Sequence, residues 1–136
     1  MDIARALDFV RTHHHAVMVT RRRDGSPQLS PVAAAVDKDG AVVVSTRETA
    51  MKAKNLERDP RVALCVLSDA FFGDWIQLDG TAEIVRLPDA LELLVEYYRA
   101  VAGEHSDWDD YRSAMQRERR VLVRIHVERA GPDRSG

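Results

Sequence analysis

A chain of 136 residues that is 45% hydrophobic and 31% charged has the composition of one globular domain and is long enough to bury a core. Its 20 basic and 22 acidic residues give a net charge of −2, which argues against a general nucleic-acid or membrane-surface binder. No apolar run approaches the ~20 residues that span a bilayer, and the N-terminal MDIARALDFV lacks the pattern of a signal peptide. The single cysteine, Cys65, lies in the apolar run VALCVL and is predicted to be a core residue of a cytoplasmic protein.

The first part of the chain predicts a short helix followed by sequential antiparallel strands. Residues 2–12 place Ile3, Leu7 and Val10 at helical spacing. Asp-Gly pairs, which favour tight turns, separate three stretches of strand character. These strands are expected at 16–20, 27–36 and 41–46. The pattern is that of a β-meander.

The second part alternates helices and strands. A helix is predicted at 49–58, with Thr49 as its N-cap and Asp59-Pro60 as its stop. Further helices are expected at 88–102, ending at Gly103, and at 107–118, capped by Ser106. Strands are expected at 62–67, 75–85 and 121–127, with Gly80 marking a bend or bulge, and 130–136 is predicted to be a frayed polar tail. Six mostly sequential strands with a few covering helices predict a mainly β protein, a small barrel formed by a single domain over residues 1–136.

A candidate anion site lies where the third strand meets the helix that follows it. Thr46 and Arg47 end the strand, and Lys52 and Lys54 lie just inside the helix. The N–H groups at a helix start are unpaired and carry partial positive charge, so they suit a phosphate, which an arginine can bind at two points. Two of the three lysines of the chain fall here. The alternative is a capped surface helix with solvated cations.

The sequence contains no recognisable catalytic or metal-binding motif. His13 and His15 would share one face of a strand, but no further ligand lies at a spacing that completes a metal site, so a polar strand entry is the favoured interpretation of His13-His14-His15. The glycines are isolated, which excludes a dinucleotide fingerprint or a phosphate loop, and the acidic run 107–110 matches a helix dipole. We therefore expect no catalytic side chain, and expect any redox chemistry to come from a bound cofactor.

Three motifs resemble a known superfamily. GSPQLSPV, the valine strand and STRETAMKAKNLERDPRVAL resemble the split β-barrel flavin and deazaflavin oxidoreductases, which include pyridoxamine 5′-phosphate oxidase. The segment AGEHSDWDDYRSAM, followed by RRVLVRI, is similar more narrowly to the actinobacterial branch that uses coenzyme F420. The similarity extends from about Leu7 to Val127. It implies a six-stranded antiparallel split barrel, like that of FMN-binding proteins, paired into a homodimer with two cofactor sites at the interface.

The resemblance also implies roles for particular residues. The cofactor phosphate would be held at the strand end and helix start, the ring system would lie along the second strand, and the partner subunit would complete the pocket. The residues in these three positions are Thr46, Arg47, Lys52 and Lys54 for the phosphate, Gln28, Leu29 and Ser30 for the ring, and Trp75 and Gln77 from the partner. Two further groups of residues each have two possible roles. Trp108 and Tyr111 either line the substrate side or pack in the core or dimer. Arg21 to Arg23 either meet an acidic cofactor tail or form a solvated turn.

The implied activity is hydride transfer from reduced F420 to a conjugated organic substrate. The alternatives are an FMN-dependent oxidase or reductase on the same scaffold, and a non-catalytic carrier or sensor of a flavin-like ligand. Pro31 stands where relatives often carry a polar residue, so no hydrogen bond to the ring is expected from it. The ending VRIHVERAGPDRSG lacks the Arg-rich terminus of true pyridoxamine-phosphate oxidases, which argues against vitamin B6 oxidation.

Overall fold

The computed structural model describes residues 1–132, in which four helices and seven strands alternate along the chain. Their bounds are α1 Ile3–Thr12, β1 His15–Arg21, β2 Pro27–Ala33, β3 Ala35–Val36, β4 Val42–Arg47, α2 Met51–Arg58, β5 Arg61–Leu67, β6 Trp75–Val85, α3 Ala90–Ala102, α4 Trp108–Arg117 and β7 Arg120–Ala130. Every helix and strand region predicted from the sequence is present, although several of the boundaries differ.

All seven strands form one antiparallel sheet in the order β2-β1-β5-β6-β7-β4-β3. The two edge strands, β2 and β3, are separated along the chain by Ala34 alone. The sheet therefore curls until its edges meet, and the chain passes directly from one edge to the other. This closure confirms the predicted split barrel.

The prediction of a single strand at 27–36 is wrong, because this stretch is divided into β2 and β3. The barrel therefore has seven strands rather than six. The division falls where the chain changes its pairing partner from β1 to β4. At that point the Ala34 N–H donates to the His14 carbonyl at 2.7 Å, and His14 Nδ1 bonds the Ala34 carbonyl at 2.7 Å. The Tyr97 hydroxyl donates to the Ala33 carbonyl at 2.7 Å. Three bonds from outside the ladder thus fix the corner.

Alternation along the strands directs one face of the sheet into the barrel. In β1, Met18 is fully buried, and it packs with Leu64 and Ile76 from the neighbouring strands. Burial of side chains of this size contributes roughly 1.5–3 kcal/mol each. Helix α1 covers one opening of the barrel with Ala6 and Val10. No helix within residues 1–132 has the length and apolar character needed to cross a membrane.

The second hydrophobic cluster lies on the outside of the barrel, beneath α3. Leu94 and Ala90 of this helix pack against Val43 of β4 and Leu122 of β7. The alternate residues of β4 therefore serve two different cores, because Val42 and Val44 point into the barrel while Val43 faces α3. The valine run of β4 is therefore buried on both faces of the sheet.

Three predicted helix starts are wrong by one or two residues. Thr49 does not cap α2; it lies within a turn closed by the Ala50 N–H and the Arg47 carbonyl, and Ala50 takes the cap position without a side-chain bond. Helix α4 is capped by Asp107, whose carboxylate accepts from the Asp110 N–H at 3.1 Å, and not by Ser106. Helix α3 begins at Ala90, after the predicted start at residue 88.

The last strand is longer than predicted. β7 continues to Ala130, which is buried, and the next two residues pair with β6: the Gly131 N–H donates to the Gln77 carbonyl and the Gln77 N–H donates to the Pro132 carbonyl. The prediction of a frayed tail is therefore wrong for residues 130–132, and its remaining part, 133–136, lies outside the described residues.

The predicted irregularity at Gly80 is confirmed. The register of β6 against β7 shifts between Asp79 and Gly80, which is a β-bulge. A Cβ atom on Gly80 would lie 2.3 Å from the carbonyl oxygen of His126, so the backbones of the two strands approach too closely there for any side chain.

Candidate cofactor site

A group of positive charges gathers where β4 ends. Arg47, the last residue of β4, lies directly opposite Arg120, the first residue of β7. Both guanidinium groups contact Glu118, with distances to Oε1 of 3.4 Å from Arg47 Nη2 and 3.0 Å from Arg120 Nε. The hydrogen bond from Arg120 is the main reason that the pKa of Glu118 is lowered. Two arginines thus share one carboxylate, and the group keeps a net positive charge.

Lys52 adds a positive charge that has no partner in the described part of the chain. It lies in the first turn of α2, is half-buried, and takes part in no hydrogen bond or ion pair with any residue of 1–132. Burial, followed by the charge of Arg120, lowers the pKa of Lys52. A desolvated ammonium close to an arginine is costly unless an anion lies between them. Arg47, Lys52 and Arg120 therefore have the chemistry of a set of phosphate ligands.

Two other residues predicted for the phosphate point away from this group. Lys54 is exposed, and because residues two apart on a helix do not share a face, it projects from a different side of α2 than Lys52. Thr46 is 3% exposed and lies on the interior face of β4, in register with Val121, while Arg47 lies on the outer face. The structure therefore brings together Arg47 and Lys52, and adds Arg120, which the sequence did not single out.

The three residues predicted for the ring system occupy β2, an edge strand paired with β1. Gln28 and Ser30 lie opposite Thr20 and Met18 and share their inward-facing side. Leu29 faces outward and is 58% exposed. The Ser30 hydroxyl oxygen is buried with no hydrogen-bond partner among the described residues. A buried hydroxyl left unsatisfied by residues 1–132 calls for a further hydrogen-bond partner, such as water or a ligand.

A partly buried chain of hydrogen bonds connects α2 to Gln28. The Arg58 guanidinium donates to Asn55 Oδ1, Asn55 Nδ2 donates to the Thr20 hydroxyl, and that hydroxyl donates to Gln28 Oε1, each at 3.1 Å. Arg58 also donates to the Arg21 carbonyl at 2.7 Å. Asn55 is 1% exposed. The chain fixes the orientation of the Gln28 side chain relative to the helix that carries Lys52.

Sequence reasoning missed the role of Asn55. The available signal was a polar residue on the apolar side of α2, beside Leu56 and two residues after Ala53, both of which are buried. A buried asparagine needs hydrogen-bond partners, so its position in the helix predicts a network even without the identity of those partners.

Replacing Asn55 by alanine is expected to lower the free energy of unfolding by about 1–3 kcal/mol, because the buried Thr20 hydroxyl loses its donor and the more exposed Arg58 loses one acceptor. Urea denaturation followed by far-UV circular dichroism measures the change. Lys54→Ala is the matched control, since it alters an exposed residue of the same helix and should change stability by less than about 0.5 kcal/mol. Equal stability of the two variants would contradict the structural importance of the network.

Trp75 and Gln77 lie on the outer face of the sheet. They are paired with Leu67 and Cys65, respectively, and the Gln77 side-chain amide donates to Asp79 Oδ1 at 3.2 Å. The prediction that Cys65 is a core residue is wrong, because the inward positions of β5 belong to its neighbours in the strand and Cys65 is half-exposed on the outer face. The partial burial that remains raises the pKa of its thiol.

This outer face carries an apolar patch. Its members lie in register across four adjacent strands and belong to neither hydrophobic cluster of residues 1–132. We call it the outer apolar face; it comprises Val17 and Val19 of β1, Leu29 and Pro31 of β2, Cys65 and Leu67 of β5, and Trp75 of β6. Contiguous exposed apolar surface of this kind commonly marks an interaction site.

Trp108 and Tyr111 belong to an aromatic cluster between α3 and α4. Tyr111 is 5% exposed and its hydroxyl donates to the Leu94 carbonyl at 2.9 Å; burial is the main reason that its pKa is raised to about 12. Trp108 is half-buried, donates through Nε1 to Glu104 at 3.0 Å, and has Arg99 stacked 4.8 Å from its ring centre. Packing accounts for Tyr111, and a role of Trp108 at the substrate stays a prediction.

The histidines and the arginine turn have mostly local roles. His13 stacks on Phe9 with the ring centres 4.1 Å apart, and His14 bonds the corner at Ala34. Within residues 1–132 no group of three or more potential ligands is arranged to hold a metal. Arg22 donates to the Pro27 carbonyl across its own turn, while Arg21 lines a cavity of about 350 Å³ together with Arg61 and Arg129.

Two cavities of the described chain lie away from the predicted cofactor residues. The cavity beside Arg21 and a larger one of about 870 Å³, between α3 and residues 37–39, are lined by other side chains. Arg47 and Leu29 are exposed and β2 is an edge strand, so this part of the predicted site lies at the surface of one protomer.

Residues 4–131 match the family model described as pyridoxamine 5′-phosphate oxidase. Over 125 residues the chain is 30% identical to the F420H(2)-dependent biliverdin reductase of Mycobacterium tuberculosis (strain CDC 1551 / Oshkosh), covering 91% of this chain and 82% of that protein. The crystal structure of the conserved hypothetical protein Rv2991 from Mycobacterium tuberculosis matches with a TM-score of 0.77 and 32% identity, covering 96% of this chain and 82% of the other. An F420 reductase structure matches with a TM-score of 0.71 over 91% of this chain and 94% of the other, and at 18% identity this likeness shows the fold alone.

The chain therefore belongs to the pyridoxamine 5′-phosphate oxidase family. Membership confirms the resemblance that the motifs indicated, and with it the expectation of a flavin- or deazaflavin-type oxidoreductase whose substrate is unknown.

Proposed function

We propose that the protein is a coenzyme F420-dependent oxidoreductase that reduces a conjugated organic substrate and acts as a homodimer in the cytoplasm. The observation that carries the proposal is the half-buried Lys52, which has no partner among residues 1–132 and lies beside Arg47 and Arg120, at the strand end and helix start where the family resemblance puts the cofactor phosphate. The mycobacterial relative that reduces biliverdin with F420H(2) supports both the deazaflavin and the conjugated acceptor.

The residues of the chain would bind and orient the cofactor. Arg47, Lys52 and Arg120 supply positive charge for its phosphate, and Gln28, held by Thr20 and Asn55, offers a fixed amide to the edge of its ring. The buried Ser30 hydroxyl, which has no hydrogen-bond partner among residues 1–132, could form a hydrogen bond with the cofactor. When bound, a reduced deazaflavin would supply a hydride to an electrophilic carbon, and a proton from solvent or from a polar pocket group would complete the two-electron reduction of the substrate. The protein contributes orientation and exclusion of water.

Two features support pairing of the chain with a second copy. The outer apolar face would be covered in a dimer, and the cofactor residues on β2 and α2, which lie open in one protomer, would gain a second wall. Trp75 and Gln77, on that face, are the residues proposed to complete the pocket of the partner. A monomer in sedimentation that still binds cofactor tightly would contradict a site at the interface.

The phosphate-binding residues do not distinguish F420 from FMN, since both present a phosphate and a flat ring. An FMN-dependent oxidase or reductase is therefore the alternative, supported by the family to which the chain belongs. A non-catalytic carrier is the third possibility, and turnover separates it from the other two.

The proposal is tested by mixing the protein with chemically reduced F420 and one acceptor at a time under single-turnover conditions. The acceptors are biliverdin, menadione and cyclohex-2-enone, and cofactor oxidation is followed by absorbance. We expect protein-dependent oxidation with at least one acceptor, and none above background with the Arg47→Ala/Lys52→Ala variant at a cofactor concentration that saturates the wild type. Tight binding of cofactor with no oxidation by any acceptor would support a carrier and contradict the enzyme.

A further inference from the structure

One carboxylate lies within the group of cations proposed to hold the phosphate. Glu118 follows the last residue of α4, and its Oε1 lies 3.0 Å from Arg120 Nε and 2.9 Å from Arg120 Nη2. Arg47 Nη2 reaches the same oxygen at 3.4 Å. The hydrogen bond from Arg120 holds the pKa of Glu118 below its usual range, so this carboxylate is charged at neutral pH. An anion bound by these cations would therefore lie close to a negative charge of the protein itself.

The backbone fixes Glu118 at this place. The chain turns from α4 into β7 at Arg119, whose φ of +51° is a left-handed conformation that is unfavourable for a residue with a side chain. The Glu118 N–H donates to the Ala114 carbonyl at 2.9 Å, and the Arg119 carbonyl accepts from the Glu48 N–H at 3.0 Å, which joins the turn to the end of β4. The position of the carboxylate beside Arg47 thus depends on backbone bonds as well as on its ion pairs.

The neighbouring carboxylate of the β4–α2 junction is engaged elsewhere. Glu48 lies 3.7 Å from Arg86 Nε, and Arg86 also contacts Glu57. Among the ion pairs of residues 1–132, Glu118 is the one carboxylate that contacts Arg47 or Arg120. Glu118 therefore reduces the positive charge of the group by one, and it does so next to two of the three cations.

The charge of a phosphate depends on how it is esterified. A monoester such as that of FMN loses its second proton at about pH 6 and carries nearly two negative charges at neutral pH. A diester, the form in which coenzyme F420 carries its phosphate, has one negative charge. Because Coulomb energy is proportional to charge, a nearby carboxylate repels the monoester about twice as strongly as the diester. Cations alone would favour the monoester by the same proportion, so the carboxylate offsets their preference.

We infer that Glu118 is a specificity-determining residue that discriminates against doubly charged phosphate monoesters and shifts the preference of the site toward ligands whose phosphate is a singly charged diester. The inference rests on the proposed function and deepens it, since the three cations attract either kind of phosphate and Glu118 separates the two kinds.

The test compares three ligands that share one ring system and its ribityl chain. The first has no phosphate, the second is the 5′-phosphate monoester, and the third is the methyl diester of that phosphate. The ring is the deazaflavin if the wild type binds F420 more tightly than FMN, and the flavin if the order is reversed. Fluorescence titration at pH 8, where the monoester is doubly charged, gives the dissociation constants.

The variants separate the charge of Glu118 from its shape. Glu118→Gln removes the charge and keeps a side-chain oxygen for Arg120, whereas Glu118→Asp keeps the charge. Glu83→Gln is the matched control, because Glu83 accepts from Arg124 at 2.8 Å on the same strand β7. Four strand residues, about 13 Å, separate Arg124 from Arg120. This distance exceeds the Debye length of about 8 Å at physiological salt.

We expect Glu118→Gln to bind the monoester about tenfold more tightly and the diester about threefold more tightly, because the gain in log affinity is proportional to ligand charge. Binding of the ligand without phosphate should not change. Glu118→Asp should keep the wild-type ratio of monoester to diester affinity, and Glu83→Gln should match the wild type for all three ligands. Equal gains for monoester and diester, or no gain for either, would overturn the inference. Weaker binding of both would also overturn it, since Glu118 would then act by holding Arg120 in place.

Failure of the proposed function gives a different result. A wild-type preference for FMN, together with the expected charge dependence in Glu118→Gln, would contradict the F420 assignment and support the inference. Binding of F420 by the wild type without that charge dependence would contradict the inference alone. A wild type that binds neither F420 nor FMN would contradict both.

Discussion

Replacing Arg47 and Lys52 together by alanine is expected to weaken cofactor binding by about 3–6 kcal/mol, or roughly two to four orders of magnitude in the dissociation constant. Each side chain would lose a charge-assisted bond to the phosphate, and Lys52 is the stronger contributor because it is half-buried and has no other partner within residues 1–132. Removal of Arg47 leaves Glu118 paired with Arg120, so the fold keeps that ion pair.

The measurement is a fluorescence titration of each variant with the cofactor, after circular dichroism has shown that the protein is folded. Lys38→Ala is the matched control, because it removes one positive charge from an exposed turn distant from the β4–α2 junction. Unchanged cofactor affinity in the folded double variant would contradict the assignment of the phosphate to this site. An equal loss in Lys38→Ala would indicate that net charge, and not specific contact, governs binding.

Gly80→Ala is expected to lower the free energy of unfolding by about 3 kcal/mol or more, the upper end of the cost of inserting a carbon into a packed region. The added Cβ would meet the His126 carbonyl oxygen at 2.3 Å and Ile125 Cγ2 at 3.1 Å, and the first of these is backbone, which cannot rotate away. The two longest strands, β6 and β7, would have to separate at the bulge.

Gly25→Ala separates steric overlap from the general cost of changing a glycine. A Cβ added at Gly25 would have no atom within 4 Å, but the φ of +86° at this residue is unfavourable for alanine and should cost about 1–2 kcal/mol. Thermal or urea unfolding of both variants gives the comparison. If the Gly80→Ala and Gly25→Ala variants had the same free energy of unfolding, this result would contradict the close approach of β6 and β7 at Gly80.

The local parts of the fold followed from the sequence because their causes are local. Alternating and helical periodicities placed the helices and strands, and Gly80 marked the bulge. The division of the second strand at Ala34 could not be predicted in this way, because it depends on bonds from His14 and Tyr97, which are 20 and 64 residues away from their partners in the chain. The cap positions were missed because a helix that starts one or two residues earlier or later has nearly the same sequence pattern.

The same distinction explains which site residues were found. Arg47 and Lys52 lie within one strand-turn-helix segment, so their proximity could be predicted, whereas Arg120 reaches the group through the pairing of β4 with β7. Strand geometry also divides the residues assigned to the ring: Gln28 and Ser30 share one face of β2, while Leu29 lies on the opposite face with Trp75 and Gln77. The ring would therefore meet β2 at its free edge.

The measurement that tests the central proposal most directly is a fluorescence titration of the purified wild-type protein with coenzyme F420 and, in parallel, with FMN. We expect saturable binding with one cofactor per protomer and a clearly lower dissociation constant for the deazaflavin. Tighter binding of FMN would move the chain to the flavin-dependent branch of its family, and binding of neither would contradict a cofactor-dependent function for this chain.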